Sequence, residues 1–256
     1  MTLESAIFWR QTKALTLAGL KSRYRKTVAG FLWVVLNPMV TLGVQALVFS
    51  QFLKIDVDNY ILFLIAGLVP WIFISQTLEM STSIFVNSSQ LMKSFSASPL
   101  VYLSAQVFDN IINFVAGFAL ALLLVWILTT GLTWKVVLLP LPIIVLSFGV
   151  FALAWLLATL QVFFRDTRFL ITFALQLGFF LTPIFYPKAF VPEGLRWLVD
   201  INPLYHLIAP FQALIHGGNG AQFAYSLAAA AGTSALLWLL ASLVWWRRRN
   251  MVFFYV

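Results

Sequence analysis

The sequence contains no cysteine, which excludes disulfide bonds, thiolate metal sites and cysteine catalysis. Only 9% of its 256 residues are charged, against about 25% in an average soluble domain. No Gly-Lys dipeptide occurs, so the ATP-binding loop G-x-x-x-x-G-K-[ST] is absent. The two histidines, His206 and His216, have too few companion ligands to predict a metal site. These absences disfavour a soluble enzyme or a nucleotide-binding protein.

Apolar residues are in excess: 62% of the chain is hydrophobic and the mean hydropathy is +0.95. A water-soluble fold of this size exposes too much surface to hide them, so lipid is the predicted solvent. Six segments without Asp, Glu, Lys or Arg are long enough to cross a bilayer as helices. They are residues 28–53, 60–78, 110–134, 136–164, 169–187 and 221–246. The predicted fold is an all-α polytopic membrane protein with six transmembrane helices, and the lack of intramembrane acids disfavours an ion-coupled carrier.

The cations fall mostly on one side of this predicted topology. Six spans put both termini on the same side, together with the connections between spans two and three and between spans four and five. Twelve of the 16 Lys and Arg residues fall there. Because cations collect on the cytoplasmic side of membrane proteins, both termini are predicted to be cytoplasmic. The net charge of +8 therefore indicates a membrane anchor, centred on residues 21–26, and no nucleic-acid partner.

The chain shows no internal repeat, and residues 1–256 are predicted to form one transmembrane domain. It comprises a weakly amphipathic cytoplasmic interface helix (1–27), a six-span core (28–246) and a cytoplasmic tail (247–256). The cytoplasmic connection 79–109 contains SSQLMKSF, a predicted short helix closed by Pro99. The outer connection 188–220 is predicted to form short amphipathic helices in the outer interface, broken at Pro192, Pro203 and Pro210.

Several motifs carry a family resemblance. They are LKSRYRKTVAGFLWVVLNP, GLVPWIFISQTL, NSSQLMKSFSASPL, FFRDTRFL, LTPIFYP and VPEGLRWLVDINPLYHLIAPFQALI. In this order they resemble the membrane subunit of type-2 ABC exporters, in the branch that moves lipid-linked polysaccharides such as O-antigen, teichoic acid and capsule. The resemblance runs through most of the chain.

The resemblance implies a permease of the bacterial inner membrane that works as a homodimer with two ATPase subunits. ATP and Mg would be bound by those partners, and this chain would hold no cofactor and be no enzyme. The cargo would be an undecaprenyl-linked polysaccharide. The export channel would form at the dimer interface, between the first and fifth spans. Short outer helices would re-enter the outer leaflet, and membrane lipids would surround the dimer.

Four groups of residues follow from this resemblance. The pyrophosphate of the cargo, which cations favour through charge-assisted hydrogen bonds, would meet Arg23, Arg25 and Lys26. The ATPase would contact a cytoplasmic coupling helix at Ser89, Gln90, Leu91, Lys93 and Phe95. Flat aromatic rings can stack on the faces of sugars, so some rings are predicted to line the glycan path, with core packing as the alternative. These rings are Trp33, Phe179, Phe180, Phe185 and Tyr186. The exit loop would contain Trp197, Asn202, Pro203 and Tyr205.

Two other functions stay open at this point. A type-2 ABC permease for a drug or a small lipid would share the same topology. A membrane-embedded enzyme acting on polyprenyl-linked sugars would need acids or histidines clustered at one face, and the sequence shows no such cluster.

Overall fold

A computed structural model of the protein describes residues 3–24, 40, 41, 43–45, 47, 48, 59–95, 97–128 and 134–255. Within these ranges the chain is helical and contains no β-strand, which confirms the all-α prediction for this part of the chain. The α-helices are α1 (Leu3–Tyr24), α2 (Tyr60–Thr82), α3 (Ile84–Asn87), α4 (Ser89–Phe95), α5 (Pro99–Leu128), α6 (Pro140–Phe163), α7 (Thr167–Leu181), α8 (Arg196–Asp200), α9 (Pro203–Ile215) and α10 (Gly220–Tyr255). Short 3₁₀ turns cover Trp134–Leu138, Lys188–Phe190 and Glu193–Leu195.

Four helical segments in the described ranges are long and apolar enough to cross a membrane. They are Tyr60–Thr82, Pro99–Leu123, Lys135–Phe163 and Gly220–Val252. They coincide with the second, third, fourth and sixth predicted spans. Most of the first predicted span, 28–53, lies outside the described residues, and those of its residues that are described, from 40 to 48, are helical. The fifth corresponds to α7, which has 15 residues and is about 22 Å long, shorter than a hydrocarbon core of about 30 Å.

Prolines set two helix ends differently from the prediction. Pro99 begins α5 instead of closing the helix before it, so the third span starts well before residue 110 and the predicted connection 79–109 shortens. Proline suits the first turn of a helix, where its missing N–H would have no partner. The fifth span ends at Leu181 and not near 187, because Thr182 is extended and Pro183 follows it.

One further expectation about the second half of the chain needs correction. Pro210 lies inside α9 and does not break it, since Ile208 and Phe211 on either side are fully buried and hold the helix in place. Residues 247–255 of the predicted tail belong to α10, which has 36 residues and is about 54 Å long.

Helix α2 lies at the centre of the bundle. It packs against α5, α6, α7 and α9, and 78% of its most apolar 18-residue window is buried. A helix that is apolar all round belongs in such a position. Helix α10 is peripheral and packs on α6 and α9. Only 22% of its most apolar 18-residue stretch is buried.

Helices α6 and α10 run parallel, joined by polar contacts and aromatic rings. Ser234 Oγ donates to the carbonyl of Val145 (3.1 Å), and Trp238 Nε1 donates to the carbonyl of Phe148 (2.9 Å). Along the same seam, ring centroids lie 5.5 Å apart for Trp155 and Trp238, 5.8 Å for Trp155 and Trp245, and 6.0 Å for Trp245 and Phe85 of α3. The ring series ties the short helix α3 to the α6–α10 pair.

Helix α1 packs on the first half of α5 through small and hydroxyl side chains. Thr12 and Thr16 are buried, and Thr16 Oγ1 lies 3.4 Å from the carbonyl of Ala105. A Cβ at Gly19 would lie 4.0 Å from Asp109 Cγ, so the two helices approach closely there. Leu17, also in α1, is 47% exposed.

These contacts bring most described cations to one end of the bundle, called here the basic end. The ring contact of Phe85 with Trp245 places α3 beside the end of α10, and the contact of Trp9 with Phe108 (5.8 Å) places α1 beside the start of α5. Exposed cations at this end are Arg10, Lys13, Lys21, Lys93, Arg165, Arg168, Arg247, Arg248 and Arg249. The opposite end carries Lys135, Lys188 and Arg196, with Glu193 and Asp200.

Candidate functional site

The predicted aromatic lining residues form one cluster where α7 ends. Ring centroids lie 5.4 Å apart for Phe179 and Phe185, 6.2 Å for Phe180 and Phe185, and 4.9 Å for Phe185 and Tyr186. Trp71 of α2, which is not among the predicted lining residues, lies 6.1 Å from Phe179 and is buried. The ring of Phe180 is 64% exposed whereas Phe185 is 9% exposed. The cluster therefore combines a packed base with one open ring, and Trp33 lies outside the described residues.

The chain breaks its helix at Thr182–Phe185, directly beside this cluster. Backbone carbonyls that leave a helix inside a membrane need other partners, because lipid offers none. Gln212 Nε2 donates to the carbonyl of Pro183 (2.7 Å), and Tyr60 Oη donates to the carbonyl of Phe185 (2.9 Å). Side chains from α9 and from the start of α2 thus hold the break in place.

Gly67 of α2 allows the break to approach this closely. A Cβ at Gly67 would lie 2.5 Å from the carbonyl oxygen of Ile184 and 3.1 Å from Gln212 Nε2. Any larger side chain would push the segment away from α2. Sequence reasoning missed Gly67, Tyr60 and Gln212, since their partners are distant in the chain and no local pattern marks them.

The predicted exit residues lie in the segment that follows the break. Asn202 caps α9 by accepting from the backbone N–H groups of Leu204 (2.9 Å) and Tyr205 (3.4 Å). Its Nδ2 donates to Thr182 Oγ1 (2.8 Å), which ties α9 to the end of α7. Pro203 occupies the first turn of α9, where proline is favoured.

Charged groups brace the same segment from the outside. Lys188 and Asp200 form an ion pair, and Lys188 Nζ also lies 5.9 Å from the ring centroid of Tyr205. Burial, and secondarily the carboxylate of Asp200, raises the pKa of the Tyr205 phenol, so this group stays protonated at neutral pH. Trp197 of α8 is 55% exposed. His206 Nε2 lies 2.8 Å from the carbonyl of Asp200, which gives this histidine a structural partner.

The predicted coupling residues form a short exposed helix at the basic end. Gln90, Leu91 and Lys93 of α4 are exposed, Ser89 is half-buried, and the side chain of Phe95 lies outside those described. Met92 on the other side of α4 is 5% exposed and belongs to the core. The helix is therefore anchored on one face and open on the other, an arrangement that suits docking to another protein.

The predicted headgroup cations are described only in part. Arg23 lies in the last turn of α1, while Arg25 and Lys26 lie outside the described residues. Gly19, one turn earlier in α1, packs on α5 near the buried carboxylate of Asp109.

Comparison with known proteins identifies the family. The family profile described as ABC-2 type transporter matches residues 10–216, which is most of the chain. The chain belongs to the ABC-2 type transporter family. It is therefore a component of a transporter and not an enzyme, and its several apolar helices make it a multi-pass membrane protein.

Individual relatives are similar over most of their length. The chain is 32% identical over 233 residues, covering 90% of both chains, to the O-antigen export system permease protein RfbA of Myxococcus xanthus. It is 27% identical, with 80% of both chains covered, to a protein of the same name from Klebsiella pneumoniae. It is 23% identical, with 77% of both covered, to the polysialic acid transport protein KpsM of Escherichia coli.

Proposed function

We propose that this ABC-2 permease exports a lipid-linked polysaccharide, of the O-antigen type, across the bacterial inner membrane. The observation that carries the proposal is the 32% identity over 90% of both chains to an O-antigen export permease. The relatives are named for O-antigen export and for polysialic acid transport, which makes a polysaccharide cargo the common feature. A drug or small-lipid cargo has no comparable support.

The assembled transporter is proposed to be a homodimer of six-span subunits with both termini in the cytoplasm. Helix α7 supports the dimer, because one of its faces exposes a row of large apolar side chains. They are Phe169 (73%), Phe173 (60%), Leu177 (48%) and Phe180 (64%). Their spacing places them on one face, and the aromatic cluster ends the row. A second copy across this face would enclose the exposed ring of Phe180 in a passage between subunits. The basic end would face the cytoplasm, following the distribution of cations.

Energy is proposed to come from two ATPase subunits that bind ATP and Mg and dock on the basic end. The open face of α4 and the exposed side of α1 are the docking surfaces. Movement of α4 would reach the core through Met92 and through α3, whose Phe85 is fully buried against Trp245. ATP binding would shift the permease between closed and open states through these contacts.

The cargo is proposed to enter at the end of α1, where Arg23, Arg25 and Lys26 would bind its pyrophosphate. The sugar chain would then pass the rings at the end of α7. Aromatic faces interact with flat apolar faces without fixing a sequence of sugars.

Loss of the chain in its host tests the proposed cargo. We expect polysaccharide to disappear from the cell surface and its lipid-linked form to accumulate in the inner membrane. Unchanged surface polysaccharide, with altered export of a small amphiphile, would contradict the proposal and favour the small-molecule alternative.

Replacement of Arg23, Arg25 and Lys26 by Gln tests the proposed entry site. Export should fall while the dimer and the complex with the ATPase remain intact. The matched variant replaces the same residues by Lys or Arg, which keeps the charge and should keep most of the export. Full export by the Gln variant would remove these residues from cargo handling.

A further inference from the structure

Arginines from two parts of the chain meet at the basic end. The guanidinium carbon of Arg248, near the end of α10, lies 5.5 Å from the ring centroid of Phe163, the last residue of α6. Arg165 and Arg168 follow directly in the turn from α6 to α7, and Arg247 and Arg249 flank Arg248. Five arginines therefore lie within a few residues of the end of the α6–α10 seam.

The turn that carries two of these arginines is held in a fixed shape. The buried Gln161 accepts through Oε1 from the backbone N–H of Arg168 (2.9 Å). Thr167 Oγ1 donates to the carbonyl of Phe164 (2.7 Å). The backbone of this turn is therefore held in place by hydrogen bonds, while the side chains of Arg165 and Arg168 are exposed.

These five arginines lack carboxylate partners among the described residues. None of them takes part in an ion pair there, and Asp166 is the one acidic residue within the turn itself. A guanidinium offers five N–H donors and forms bidentate bonds with phosphate. The surface therefore has donors and positive charge in excess.

Large apolar side chains are exposed between the arginines. Phe164 is 66% exposed, and Trp246, next to Arg247, is 69% exposed. Exposed aromatic rings would contribute nothing to a surface that contacts only water or a soluble anion. Rings and cations at the same level suit the boundary between phospholipid headgroups and acyl chains.

We propose that this surface, formed by Arg165, Arg168, Arg247, Arg248 and Arg249 with Phe164 and Trp246 beside them, binds the headgroup of an anionic phospholipid. The arginines would hold the phosphate while the rings contact the upper acyl chains. The proposal requires only that the chain spans a membrane. It does not depend on which cargo the transporter moves.

Lipid binding by the intact protein tests the proposal. Phosphatidylglycerol and phosphatidylcholine with identical acyl chains would be titrated into the purified detergent-solubilised protein, and bound lipid counted by native mass spectrometry. The test variant is Arg165→Gln, Arg168→Gln, Arg249→Gln, which leaves Arg248 packed on Phe163. The control variant is Arg10→Gln, Lys13→Gln, Lys93→Gln, which removes three exposed cations of the same end.

We expect the wild type and the control variant to retain phosphatidylglycerol in preference to phosphatidylcholine. The test variant should lose about tenfold or more in apparent affinity for phosphatidylglycerol, since each cation near an anionic headgroup contributes severalfold. Substitution of the same three arginines by Lys should preserve most of the preference. Equal melting temperatures of all variants in phosphatidylcholine would exclude a folding defect as the cause.

Three results would overturn the proposal. The test variant could bind phosphatidylglycerol as the wild type does. Both variants could lose the preference equally, which would indicate a diffuse charge effect. The test variant could instead keep its lipid and lose the ATPase subunits on co-purification, which would assign the surface to that partner.

Discussion

Substitution of Gly67 by Ala should loosen the break at the end of α7. A Cβ at this position would lie 2.5 Å from the carbonyl oxygen of Ile184 and 3.2 Å from its carbonyl carbon. Ordinary carbon–oxygen contacts are about 3.3 Å or longer, so the two backbones would have to separate by about 0.8 Å. The obstacle is backbone, which cannot turn aside as a flexible side chain can. Gln212 Nε2, which donates to the carbonyl of Pro183, lies 3.1 Å from the same Cβ and would also be crowded.

The size of the effect follows from two opposing contributions. Overpacking of a tight contact costs about 1–3 kcal/mol, and an alanine in a helix gains about 0.5–1 kcal/mol over glycine. The net loss in the free energy of unfolding is therefore about 0.5–2 kcal/mol. For a chain of this size we expect the melting temperature to fall by roughly 2–6 °C.

Gly232→Ala is the matched control, because Gly232 lies in α10 with nothing within 4 Å of its added Cβ. This variant should melt at or slightly above the wild-type temperature. Both proteins would be compared by thermal unfolding in the same lipid nanodiscs. A Gly67→Ala protein that melts no lower than Gly232→Ala would refute the close approach between α2 and Ile184.

Three other substitutions test separate parts of the account. Trp238→Phe keeps a ring against Phe148 but removes the Nε1–H donor from its carbonyl, so the melting temperature should fall by about 2–4 °C; an unchanged value would show that this bond contributes nothing. Asn202→Ala should cost about 1 kcal/mol through loss of the cap of α9, whereas Asn202→Asp, which keeps the acceptor and loses only the donor to Thr182, should cost less; equal losses would contradict the capping role. Lys93→Glu should reduce co-purification of the ATPase subunits if α4 is their docking surface, and undiminished co-purification would count against that placement.

The apolar runs predicted the long helices well because each run is a local property. The second, fourth and sixth spans begin within a few residues of the predicted positions, since the loss of charge and the need to pair backbone groups in lipid fix them. The start of α5 could not be found in this way. Asp109 ends the charge-free run on its N-terminal side, yet this residue is buried within the helix, where α1 packs nearby.

The sequence predicted which rings form the site better than it predicted the contacts that hold them. The rings from Phe179 to Tyr186 are neighbours in sequence, and their clustering followed from that. Tyr60 and Gln212 hold the break through single bonds to distant carbonyls, and an isolated tyrosine or glutamine carries no sign of its partner. The same holds for Arg248, whose position over Phe163 depends on the parallel packing of α6 and α10.

The central claim is that the chain couples ATP hydrolysis in a partner to export of a lipid-linked glycan. It is tested most directly by the ATPase activity of this chain, co-expressed with an ATPase subunit from the same organism and placed in lipid nanodiscs. The activity would be measured with and without an undecaprenyl-linked polysaccharide. The account predicts a stable complex whose ATP hydrolysis rises when the glycan is added. A stable complex whose rate of ATP hydrolysis does not change with the glycan, but rises with a small amphiphile, would contradict the claim.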